Sequence, residues 1–76
     1  MTKQDYYEAL RSELRENHAW AADDAKLDRY MDAVRETLEE GRSGYQYDGP
    51  ASTAAWRSLG GKGAPTLKAL RALPAD

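Results

Sequence analysis

The fold is decided by residues 23–41, DDAKLDRYMDAVRETLEEG. Apolar side chains recur at helical spacing in this stretch and form one stripe, made by Leu27, Tyr30, Met31, Val34 and Leu38. Asp23 or Asp24 suits the N-cap position, because a carboxylate there accepts hydrogen bonds from free backbone N–H groups. Gly41 suits the C-terminal cap. The stretch therefore predicts an amphipathic helix over residues 23–40.

The N-terminal residues predict a partner for this helix. Tyr6, Tyr7, Leu10 and Leu14 follow one another at helical spacing. Thr2, with Asp5 three residues later, is close to a capping-box arrangement. We expect a first helix over residues 3–17 that packs antiparallel to the helix over residues 23–40.

The C-terminal half predicts a shorter helical pair. Residues 42–50 contain turn formers and tyrosines without a period, and we interpret them as a loop. Pro50 suits the first turn of a helix over residues 50–59, which Gly60 would end. Pro65 suits the start of a helix over residues 65–73, with Pro74 as its stop.

Taken together, these patterns predict an all-α fold, a small bundle of about four helices in a single domain over residues 1–76. The domain would comprise an acidic helical hairpin (1–41), a loop (42–50) and a basic segment resembling a helix-turn-helix (51–76). The expected core consists of Tyr7, Leu10, Leu14, Leu27, Met31, Val34, Leu38, Trp56, Leu59, Leu67 and Leu70.

Composition narrows the classes of function. The chain has 76 residues and no cysteine, so neither disulfides nor thiolate metal sites are expected. We find no apolar run of signal-peptide or membrane-span length, and therefore expect a cytoplasmic protein without a membrane partner. The net charge of −2 is unevenly placed. Residues 1–40 carry eleven acidic and six basic residues, whereas residues 41–76 carry two acidic and five basic ones.

The first candidate site is the basic segment itself, read as a helix-turn-helix whose second helix enters the major groove of DNA. Its expected nucleic-acid contacts are Arg57, Lys62, Thr66, Lys68 and Arg71. The turn from Gly60 to Ala64 is longer than is usual in this motif. The alternative is that two short helices simply close a small core, with the cations solvating the outside.

Residues 56–67, WRSLGGKGAPTL, resemble the N-terminal DNA-binding region of plasmid KfrA-type regulators and segments of small phage proteins. The resemblance covers about a quarter of the chain, within residues 54–73. The long coiled coil that follows this region in the plasmid regulators is absent here. The resemblance implies an origin in a mobile element and a location in the host cytoplasm.

The second candidate site is an acidic ridge on the helix over residues 23–40. Its carboxylates recur every fourth residue, at Asp24, Asp28, Asp32, Glu36 and Glu40. Each step rises about 6 Å along a helix, so the ridge would imitate a phosphate backbone, although it also turns about 40° at each step. We expect Arg29 and Arg35 to pair locally with Asp32. The alternative interpretation is an ordinary solvated helix face.

The third candidate is the aromatic pair Tyr45 and Tyr47, which would anchor a protein interface or cover the edge of a small core. Base stacking by this loop is disfavoured, since Arg42 is the only nearby arginine.

The sequence gives little support for catalysis, cofactors or metals. His18 is the only histidine, has no nearby serine or cysteine nucleophile, and fits a helix-terminal or core-edge position. Lys62 is followed by glycine, which departs from a phosphate-binding loop. The carboxylates lack the spacing of a calcium loop.

Two hypotheses remain open at this point. In the first, the chain is a small non-catalytic phage or plasmid regulator that binds DNA through the basic segment, as a homodimer. In the second, it is a protein-binding inhibitor of a host nucleic-acid machine, such as an anti-CRISPR or other anti-defence protein. That inhibitor would use the acidic ridge together with Tyr45 and Tyr47.

Overall fold

The computed structural model describes residues 1–41 and 49–75. Within these ranges the chain is all-α, with four helices and no strand. The helices are α1 (Lys3–Asn17), α2 (Asp24–Glu40), α3 (Gly49–Ser58) and α4 (Leu67–Arg71). The predicted fold class is confirmed.

Local capping fixes the start of α1. The Thr2 hydroxyl accepts a hydrogen bond from the Asp5 backbone N–H at 3.1 Å, and the Asp5 carboxylate accepts one from the Thr2 N–H at 3.0 Å. This reciprocal pair is a capping box, and it satisfies N–H groups that have no partner within the helix. The bounds of α1 match the prediction.

The connection between α1 and α2 contains a short 3₁₀ helix, Ala19–Ala22, which the sequence pattern did not predict. Asp23 then caps α2, because its carboxylate accepts hydrogen bonds from the N–H groups of Ala25 at 3.0 Å and Lys26 at 3.3 Å. Gly41 ends the helix with a φ of 72°, as predicted. Capping by Asp23 sets the first helical residue one position later than expected.

Eight of the eleven predicted core residues are buried. They are Tyr7, Leu10, Leu14, Leu27, Met31, Val34, Leu38 and Leu70. Trp56 and Leu59 pack against this core but are only partly buried. Leu67 is 40% exposed, so its prediction as a core residue is wrong.

The error at Leu67 follows from where α4 begins. Thr66 caps this helix by accepting a hydrogen bond from the Ala69 N–H at 3.0 Å. Pro65 lies outside the helix and is buried, rather than occupying the first turn as predicted. The helix is only five residues long, and Leu70 alone among its leucines is buried in the core.

The helices do not pair as the two successive hairpins that the sequence predicts. α1 packs most extensively against α3, and α4 packs against α2. Small side chains of α3 face the core at Ala51, Ser52 and Ala55, which allows close approach. The predicted packing of α3 on α4 as a helix-turn-helix pair is therefore corrected.

The chain ends of the described structure are tied together. The Lys3 N–H donates a hydrogen bond to the Pro74 carbonyl at 2.8 Å. The Arg71 guanidinium donates to the Thr37 carbonyl of α2 at 3.0 Å. These bonds hold the short α4 and the residues after it against the N-terminal half.

Candidate nucleic-acid interface

The glycine turn, residues 60–64, begins where α3 ends. Its first two residues belong to a regular helix-terminating motif. Gly60 has a φ of 92°, and its N–H donates to the Arg57 carbonyl at 3.0 Å. The Gly61 N–H donates to the Trp56 carbonyl, also at 3.0 Å. This pattern is that of a Schellman motif, in which two residues beyond the helix satisfy its last carbonyl groups. Residues 56–61 therefore form a hydrogen-bonded turn.

Trp56 extends this turn to Lys62. The indole Nε1–H donates a hydrogen bond to the Lys62 carbonyl at 3.2 Å. Gly61 lies directly against the same ring, and a Cβ atom at this position would overlap Nε1 and Cε2 of Trp56. Only glycine fits at residue 61, because its backbone approaches the indole more closely than a side chain permits.

The cations around this turn are exposed. We call Arg57, Lys62 and Lys68 the basic set; all three are exposed, and within residues 1–41 and 49–75 they form no ion pair. Residues 49–75 contain four basic residues and no acidic one. The basic set is therefore free to meet an anionic partner.

The other two predicted nucleic-acid contacts have roles within the fold. Thr66 is the N-cap of α4, and its hydroxyl oxygen is engaged by the Ala69 N–H. Arg71 is bound to the Thr37 carbonyl through its guanidinium. Both residues are close to the basic set in sequence, but their polar groups already form hydrogen bonds within the protein.

The acidic ridge is partly neutralised by arginines. Arg11 of α1 forms an ion pair with Asp28 at 2.8 Å, and Arg15 of α1 pairs with Asp24. Within α2, Arg35 pairs with Asp32 at 3.6 Å, as predicted. The other predicted partner of Asp32, Arg29, forms no ion pair within the described ranges. Asp24, Asp28 and Asp32 of the ridge thus already face a positive charge.

Tyr7 joins the same contact between α1 and α2. Its hydroxyl donates a hydrogen bond to Glu39 at 3.3 Å, and the Arg35 guanidinium lies 5.2 Å from the centre of its ring. Burial, together with the nearby Glu39 carboxylate, raises the pKa of Tyr7 to about 12, and Arg35 opposes the rise. Sequence reasoning placed Tyr7 in the core but missed its polar contacts.

Glu36 and Glu40 are exposed on α2. Tyr45 and Tyr47 lie outside the described residues, so the proposed aromatic anchor stays a prediction.

His18 occupies the C-cap of α1, in the helix-terminal position expected for it. Its ring stacks on Trp20, with 5.7 Å between ring centroids. A cavity of about 350 Å³ lies beside it, between the end of α1 and the start of α3. The lining residues are Glu13, Asn17, His18, Pro50, Ala51 and Ala54.

The described residues provide neither a metal-binding cluster nor a membrane-spanning helix. No group of three or more histidine, cysteine, aspartate or glutamate side chains in these ranges is arranged to hold a metal ion. No described helix combines the length and apolar character required to cross a bilayer.

Comparison of the chain with protein families, curated proteins and solved structures finds no match.

Proposed function

We propose that this chain is a small non-catalytic DNA-binding protein that contacts the phosphate backbone through the basic set, Arg57, Lys62 and Lys68. The observation that carries the proposal is the division of charge between the two halves. Three of the four arginines of α1 and α2, Arg11, Arg15 and Arg35, are engaged by carboxylates, whereas the whole basic set is exposed without an acidic partner among the described residues.

The physical basis of the proposal is electrostatic. Lysine and arginine contacts to phosphates release condensed counterions and supply most of the affinity for DNA when no base is read. Arg57 lies in the last turn of α3, Lys62 lies in the glycine turn that is hydrogen-bonded to this end of α3, and Lys68 lies in the first turn of α4. The packing of α4 on α2 favours contacts by this turn over insertion of α4 into the major groove.

The alternative, a protein-binding inhibitor that imitates a phosphate backbone, has less support. Asp24 and Asp28 would have to give up ion pairs with α1 to meet a basic partner. The role of a phage or plasmid regulator rests on the resemblance of residues 54–73 alone.

Charge reversal tests the proposal with a matched control. The variant Arg57→Glu with Lys62→Glu and the control Lys26→Glu with Arg29→Glu change the net charge equally, and all four positions are exposed. Binding to a fluorescent duplex of random sequence is measured by anisotropy at several salt concentrations. We expect the first variant to lose at least about tenfold in affinity and its salt slope to fall by about 2. Equal loss in both variants, or no binding by the wild type, would refute the proposal.

A further inference from the structure

Trp56 makes contacts that a purely hydrophobic residue would not need. Its ring is only partly buried against the core, and its indole N–H is directed into the glycine turn, onto the carbonyl of Lys62. Phenylalanine or leucine at this position could pack against the core but could not donate this hydrogen bond. The indole N–H therefore adds a connection between the end of α3 and the one basic residue of the turn.

Gly61 shows that this connection is close and specific. The residue has no room for a Cβ atom, because the Trp56 ring occupies that space. Its N–H is bound to the carbonyl of Trp56. The turn is thus held on Trp56 by two hydrogen bonds, one from the Gly61 N–H to the Trp56 carbonyl and one from the indole to the Lys62 carbonyl.

We infer that Trp56 is a positioning residue, which fixes the backbone of Lys62 so that its ammonium group meets a phosphodiester from a preformed turn. This inference rests on the proposed function. The physical reason is that a lysine on a disordered turn must lose backbone freedom when it binds, whereas a lysine on a fixed turn loses only side-chain freedom. The indole N–H is already bonded to the Lys62 carbonyl, so in this arrangement it is not available as a donor to the nucleic acid.

The test is a double-mutant cycle measured by duplex affinity. Trp56→Phe keeps most of the ring but removes the indole donor, and we expect it to weaken binding about threefold to tenfold. In a Lys62→Ala background the same change is expected to have no effect, because the positioned group is gone. Trp20→Phe is the matched control, since Trp20 stacks on His18 in another part of the molecule, and its affinity should equal that of the wild type.

The outcomes separate the inference from the function on which it rests. Wild-type binding that Trp56→Phe leaves unchanged, or weakens equally in both backgrounds, overturns the inference and leaves the proposed function standing. No wild-type binding overturns the proposed function and the inference with it.

A second measurement needs no variant and covers the case in which Trp56→Phe fails to fold. Hydrogen exchange of the two indole N–H groups is followed in the wild-type protein by NMR. We expect the Trp56 indole to exchange more slowly when duplex is added, while the Trp20 indole stays unchanged. An unchanged Trp56 rate at saturating duplex contradicts the inference.

Discussion

The Tyr6 hydroxyl lies 2.8 Å from the Ser52 hydroxyl oxygen, and both residues are fully buried between α1 and α3. This contact explains why α3 pairs with α1. A serine and two alanines let the helices approach closely, and the tyrosine hydroxyl satisfies the serine that this approach buries.

Tyr6→Phe should therefore destabilise the fold by about 1–3 kcal/mol, because a buried hydroxyl loses its partner. Unfolding in urea, followed by circular dichroism, measures the effect. Tyr6→Phe combined with Ser52→Ala should cost less than the two single changes added together. If the double variant loses as much stability as the two single variants added together, the two hydroxyls do not interact.

The orientation of α4 about its axis, which buries one leucine and exposes another, gives a second prediction. The exposed leucine supplies the control. Leu70 is fully buried, and Leu67 is 40% exposed. Leu70→Ala should cost about 2–5 kcal/mol through lost burial and the cavity left behind. Leu67→Ala should change the free energy of unfolding by less than about 0.5 kcal/mol. The reverse order of these two effects would show that α4 is rotated relative to the described structure.

The ion pair between Arg11 and Asp28 predicts a small effect, despite its good geometry. The two side chains are 35% and 60% exposed, so water screens their attraction. A double-mutant cycle with Arg11→Ala and Asp28→Ala should give a coupling energy of about 0.2–1 kcal/mol that falls as salt is added. A coupling above that range, insensitive to salt, would mean that the pair is shielded from solvent.

Tyr7 predicts a loss of stability in alkaline solution. Its pKa rises from the ordinary value of 10 to about 12 in the folded protein, so the unfolded chain releases this proton first. The stabilising contribution is complete below pH 10 and is lost as the pH rises from 10 towards 12. Over this pH range the free energy of unfolding of the wild type should fall by up to about 2 kcal/mol relative to that of Tyr7→Phe. If the free energy of unfolding falls equally with pH in the two proteins, the raised pKa is contradicted.

The two longer helices were predictable because their signals are local. Asp23 and Gly41 bound α2, the capping box of Thr2 and Asp5 starts α1, and the apolar stripes between these caps are regular. The two arginines of α1 pair with aspartates of α2 at matching intervals. Arg11 and Arg15 are four residues apart, and so are their partners, Asp28 and Asp24, in the opposite direction. Antiparallel packing predicts such a ladder once both helices are placed.

The C-terminal half was harder to predict because its decisive residues carry little pattern. Ala51, Ser52 and Ala55 form the buried face of α3, yet small residues rarely mark a helix face in sequence. Leu67 and Leu70 look equivalent by spacing, and only the cap at Thr66 distinguishes them.

The candidate site was predictable in part. The division of charge, and hence Arg57, Lys62 and Lys68, is visible in the sequence. The hydrogen bond from Trp56 to Lys62 is not, because it depends on the path of a turn without a repeating period.

The most direct test of the central claim is an NMR titration of the ¹⁵N-labelled wild-type protein with a short duplex of random sequence at low salt. We predict that the largest shift changes fall on the Trp56 indole and on the backbone amides of residues 57–62 and Lys68, while those of the acidic ridge on α2 stay in place. Shift changes concentrated on α2, or none at saturating duplex, would contradict the account.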